Sequence, residues 1–110
     1  MDIHLKKEAK GLIVSIGGRL DAVSVTEFDK EMAQQINNGE LHFILNLSRL
    51  DYISSAGLRS ILSMSKRLKE IKGTILLCDL QSAVKEVFDI SGFSSIFTIY
   101  DSLENALKSV

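Results

Sequence analysis

Short apolar runs alternate along this chain with segments in which apolar residues recur three or four positions apart, the pattern of strands separated by helices. Ile3 and Leu5 alternate with His4 and Lys6, Lys7 to Gly11 reads as a turn, and Leu12-Ile13-Val14-Ser15-Ile16 is a second strand, so the chain opens with a hairpin. Gly17-Gly18 is expected to end it, and Arg19-Leu20-Asp21-Ala22 to lead as a loop into a helix. Ser24 and Glu27 have the spacing of a capping box, with Val23 and Phe28 placed as a hydrophobic staple. Val25, Phe28, Met32 and Ile36 then follow at helical spacing until Asn37-Asn38-Gly39, residues that tolerate the left-handed conformation of a helix stop.

The run Leu41-His42-Phe43-Ile44-Leu45-Asn46-Leu47 is apolar on both faces, which predicts a central strand of a covered sheet. From about Ala56 to Ile71 a helix carries Leu58, Ile61, Leu62 and Leu68 on one stripe and Arg59, Ser63, Lys66, Arg67 and Glu70 opposite, with Met64 at the border. Thr74 to Cys78 is a further strand, Val84, Val87 and Phe88 mark a helix ending at Gly92, and Ile96 to Tyr100 is another strand. Asp101 and Glu104 again have capping-box form before a terminal helix bearing Leu103, Ala106, Leu107 and Val110. A hairpin followed by alternating helices and strands predicts one α/β domain over residues 1–110, a mixed, largely parallel sheet of about five strands packed with about four helices.

Composition narrows the function. With 45% hydrophobic residues in 110, the chain can bury a core. Thirteen Lys+Arg against 14 Asp+Glu give a net charge of -1, which lacks the basic footprint that nucleic-acid binding requires. No apolar run reaches the roughly 20 residues of a membrane span, and Met1-Asp2-Ile3-His4 begins no secretory signal, so a cytoplasmic protein without membrane insertion is expected. The single cysteine, Cys78, lies in an apolar run and is expected to be a small buried side chain. His4 and His42 lack metal-ligand spacing, and no phosphate loop or nucleophile elbow is present, so neither a cofactor nor enzymatic activity is expected. Lys66, Arg67 and Lys69 read as a solvated helix face.

What stands out is Leu50-Asp51-Tyr52-Ile53-Ser54-Ser55-Ala56-Gly57-Leu58-Arg59, which follows the central strand, where open α/β sheets place their functional crevice. Two serines stand at a helix start, where their oxygens can accept from unpaired backbone N–H groups, and Ala56 and Gly57 leave the first turn unobstructed. From spacing alone Ser55 is a cap. Asp21 and Asp51 are turn or cap residues, or members of the same surface, and Met64 is core filler or a soft partner contact.

The run Asp51 to Arg59 resembles the signature segment of STAS domains of the bacterial anti-sigma-factor antagonist type. Gly18-Arg19-Leu20-Asp21 and Leu45-Asn46-Leu47-Ser48 resemble that family's Gly-x-Leu-Asp turn and strand-end segment, and the likeness extends over essentially the whole chain. The resemblance implies that Ser55 is phosphorylated by a partner kinase. It implies as partners an anti-sigma factor that is also a serine kinase, and a serine phosphatase that resets the switch. Many members carry aspartate where this chain has Ser54 and Asn46, which makes Ser54 a second candidate acceptor. The partner surface assigned on this basis comprises Asp21, Asp51, Ser54, Ser55, Ala56, Gly57, Arg59, Ser60 and Met64. Two other roles remain open: a STAS scaffold in another signalling or transport complex without a phospho-switch, and a nucleotide-binding STAS protein.

Overall fold

In the computed structural model, which describes residues 1–110, the expected opening hairpin forms one edge of a five-stranded sheet. Strands β1 (Asp2–Glu8), β2 (Gly11–Leu20), β3 (His42–Ile53), β4 (Thr74–Cys78) and β5 (Thr98–Tyr100) lie side by side in chain order. Only β1 and β2 are antiparallel; every later pairing is parallel. The helices α1 (Val25–Asn37), α2 (Ser55–Glu70) and α3 (Ser82–Ile90) are the crossovers, and α4 (Leu103–Lys108) follows the last strand.

That order explains the layers. Parallel crossovers are right-handed, so a chain stepping one strand at a time in one direction lays all three crossover helices on the same face. Phe28 and Met32 of α1, Ile61 and Leu68 of α2, and Val84 and Phe88 of α3 accordingly share one core with Val14, Phe43, Leu45 and Leu77. The opposite face packs Ile13, Ile44 and Cys78 against Ala106 of α4. Both faces of β3 are therefore buried, as its continuous apolar pattern requires. No helix is long and apolar enough to cross a membrane.

Several boundaries differ from the sequence expectation, each for a local reason. Gly17-Gly18 does not end β2: the strand continues to Leu20 through two register shifts against β3, and Gly18 takes φ +88°, which a side chain would strain. Because β2 continues, β3 pairs with it as far as Ile53, and Leu50 and Ile53 join the core. The Ser24–Glu27 capping box does not form. Ser24 makes no side-chain cap bond, and Val23, the supposed staple, is 89% exposed. Ile96 and Phe97 belong to no strand; a 3₁₀ turn over Phe93–Ser95 precedes them, and Phe97 meets Phe88 edge-on at 6.1 Å. Ser102, not Asp101, caps α4, its Oγ accepting from Asn105 N at 3.1 Å.

Cys78 is fully buried, and burial pushes its thiol up to about 12, with the hydrogen bond and charge of Asp79 adding to the rise. Iodoacetamide at about pH 8 is expected to leave the native chain unlabelled and to modify it completely in denaturant, because the thiolate is the reactive form. Rapid labelling of the native chain would show that the α4 face opens readily.

Candidate functional site

The ends of β2 and β3 and the start of α2 converge on one place. Ser54 N donates to Leu20 O at 3.0 Å, which fastens the entry of α2 to the last residue of β2. Ser54 is the N-cap: its extended backbone (φ -96°, ψ 174°) lets its Oγ accept from Gly57 N at 3.3 Å, while its carbonyl accepts from Leu58 N at 2.9 Å. Ser55 is the first helical residue, exposed, and its hydroxyl makes no hydrogen bond within the chain. The division of labour between the two serines is thus resolved. Ser54→Ala is expected to lower stability by about 1 kcal/mol, and Ser55→Ala to stay within about 0.5 kcal/mol of the parent, in paired urea titrations. Equal losses would mean that both hydroxyls share the cap.

Gly57 is required by proximity. A Cβ there would stand 2.6 Å from Leu20 O and 2.9 Å from Ile53 Cγ1, so the first turn of α2 packs directly on backbone.

Asp21 organises the neighbouring loop. Its Oδ1 accepts from the N–H groups of Val23 and Ser24, each at 3.0 Å, with Ser24 Oγ 3.2 Å away, while Arg19 Nε lies 3.4 Å from Oδ2. The Ser24 N–H is the main cause holding this carboxyl below its ordinary value of 3.8, outweighing desolvation, with Val23, the Ser24 hydroxyl and Arg19 adding to it. A lowered pKa means that the turn is supported while Asp21 is ionised, above the usual carboxylate range, and loses that support as pH falls through the folded-state value. Arg19 also lies over the ring of Tyr52, 4.1 Å from its centroid.

The remaining predicted residues divide. Ala56 is half-buried and Arg59 exposed, four residues on from Ser55 and without an ion-pair or hydrogen-bond partner in the chain. Ser60 and Met64 are 8% and 6% exposed, turned toward α1, where Ser60 Oγ donates to the Asp29 carboxylate. They line a groove of about 550 Å³ between α1 and α2 that also includes Ala56 and Arg59. Asp51 lies within β3, not in a loop, and its Oδ1 is 3.4 Å from Gln81 Nε2, the side chain that also donates to Ser48 O at 2.8 Å. Its hydrogen bonding is therefore with the entry to α3.

Sequence reasoning missed Arg19, Tyr52 and Val23 on this surface. Elsewhere, His42 Nδ1 meets Thr74 Oγ1 at 2.8 Å, and no group of three or more His, Cys, Asp or Glu side chains is placed to hold a metal ion.

Comparison with known proteins agrees with this fold. The STAS domain profile matches residues 2–106. BtrV of Bordetella bronchiseptica, which carries the name of an anti-sigma factor antagonist, is 44% identical over 106 residues, covering 96% of this chain and 91% of that protein. The anti-sigma F factor antagonist of Paenibacillus polymyxa is 31% identical over 111 residues, covering 100% and 95%. Among solved structures, the Bacillus anti-sigma factor antagonist SpoIIAA superposes with a TM-score of 0.82 in its unphosphorylated form, at 22% identity and coverage of 98% and 95%. Its phosphorylated form superposes with a TM-score of 0.74, at 21% identity and coverage of 98% of each chain.

Proposed function

The chain belongs to the STAS domain family of anti-sigma factor antagonists, and from that premise we propose that it is a partner-switching regulator controlled at Ser55. Unmodified, it captures an anti-sigma factor that is also a serine kinase; phosphorylated on Ser55, it releases that partner, and a serine phosphatase restores the captured state. Capture frees a sigma factor, so the chain governs transcription without touching nucleic acid itself.

One observation carries this reading. The hydroxyl of Ser55 is exposed and unbonded at the first position of α2, while Ser54 supplies the cap. A kinase can take Ser55 without dismantling the helix start, whereas Ser54 is committed to Gly57 N–H. Phosphorylation adds a charge of about -1.5 to -2, and at a helix N-terminus such a charge is favourable by roughly 0.3 to 1 kcal/mol. The fold therefore tolerates the modification, and its cost falls on the docked partner. That a neighbour of this fold has been solved both with and without phosphate supports the same reading.

The test is a pull-down from the native lysate with Ser55→Ala and Ser55→Asp side by side. The expected outcome is a protein with kinase sequence motifs that Ser55→Ala retains and Ser55→Asp loses. Identical partner sets on both variants would instead make the chain a constitutive scaffold.

A further inference from the structure

The groove between α1 and α2 begins at the Ser55 end of α2, and its chemistry is specific. Its floor is apolar, made by the buried side chains of Phe28, Met32 and Ile36 from α1 and Met64 from α2. Along the α2 side stand Arg59 and Arg67, eight residues and about 12 Å apart on one helix. Neither has a carboxylate partner: Arg59 makes no bond within the chain, and Arg67 Nη2 donates only to the Asn37 side-chain carbonyl at 3.0 Å. The one carboxylate in the lining, Asp29, already accepts from Ser60. A chain with net charge -1 thus keeps two guanidinium groups without a carboxylate partner beside an apolar trough.

We propose that this groove seats an acidic amphipathic helix of the partner protein, its carboxylates eight residues apart on Arg59 and Arg67 and its apolar stripe over Met32 and Met64. The proposal deepens the reading of Ser55 as a partner switch and rests on it for the identity of the occupant. Three features fit a helix. The lining runs from Val25 to Ile36 on α1, about three turns. Carboxylates eight apart on a second helix repeat the spacing of the two arginines, and a stripe at i, i+3, i+4 and i+7 fills the trough between them. Methionine, which each helix contributes to the floor, adapts to a guest side chain better than branched residues do. The partner would then span both the groove and Ser55, since Ala56 and Arg59 border both.

The chain's three methionines make the test direct, because two line the groove and Met1 lies elsewhere, beside Gly18. The probe is a synthetic 15-residue helical peptide with leucines at i, i+3, i+4 and i+7 and glutamates eight residues apart, titrated into the full chain labelled with ¹³C at the methionine methyls. A second peptide carries lysine in place of each glutamate. The expected result is saturable shifts of the Met32 and Met64 methyls with Met1 unmoved, a loss of affinity of about tenfold in Arg67→Glu, and no saturable shift with the lysine peptide. An absence of saturable shifts at Met32 and Met64, or equal binding of the two peptides, overturns the proposal. Neither outcome depends on phosphate, so failure of the groove is distinguishable from failure of the Ser55 switch, which the pull-down decides.

Discussion

Ser55→Asp is expected to bind the captured anti-sigma factor at least about a hundredfold more weakly than Ser55→Ala, a difference of about 2.8 kcal/mol. The charge is placed where the fold accepts it and a docked surface does not. An acidic side chain in the first turn of α2 is favoured by the helix dipole and leaves the Ser54 cap intact. On the partner's side the same charge meets desolvation and any facing carboxylate, and like charges brought together across an interface cost several kcal/mol. It also lies one turn from Arg59, so it draws on a guanidinium that would otherwise be offered to the partner. Calorimetric titration of both variants checks this, with matched urea midpoints as the control that folding is unchanged. A ratio near one would mean that the partner does not cover Ser55.

Gly57→Val is expected to cost about 3 kcal/mol of stability, at the upper end of overpacking penalties. The Cβ would stand 2.6 Å from the Leu20 carbonyl, the same oxygen that accepts from Ser54 N at 3.0 Å. The helix start cannot retreat without breaking that bond, and Ile53 Cγ1 at 2.9 Å blocks another direction. Loss of the bond would also misplace Ser55, so partner binding should fall together with the urea midpoint. A variant within about 0.5 kcal/mol of the parent would show that α2 is not seated against the end of β2.

The layout was legible where pattern and burial coincide. Phe28, Met32 and Ile36 fall on one helical stripe and are buried, and the continuous run from Phe43 to Leu45 is covered on both faces. The pattern failed where one local signal outweighed another. Ser24-x-x-Glu27 has the form of a cap, but the Asp21 carboxylate reaches the Val23 and Ser24 N–H groups first and Ser24 Oγ donates to Arg19 O at 2.6 Å, which turns Val23 outward. Gly17-Gly18 reads as a stop because glycine commonly ends strands, but bulges use glycine as well, and β3 holds the strand in place beyond them.

The candidate site divides in the same way. That two serines start a helix is visible in the sequence. Which of them caps depends on the extended backbone at Ser54, fixed by its bond to Leu20 O, a contact between residues 34 apart that no local pattern records. Ser60 and Met64, placed on the partner surface from the family resemblance, turn inward because helical periodicity sets them on the α1-facing side of α2, where they form part of a groove. Asp51 reads in the sequence as a turn or cap residue or a member of the same surface; the extension of β3 instead places it in a strand with Gln81 as its neighbour.

The most direct test of the account is to incubate the unmodified chain with ATP and the kinase that the pull-down is expected to identify, locate the phosphate by peptide mass spectrometry, and follow the complex by size-exclusion chromatography over the same time course. The expected result is a single phosphate on Ser55, with Ser54 unmodified and the complex dissociating in step with the modification. Phosphate on Ser54 instead, or a complex that persists once Ser55 is fully phosphorylated, would contradict it.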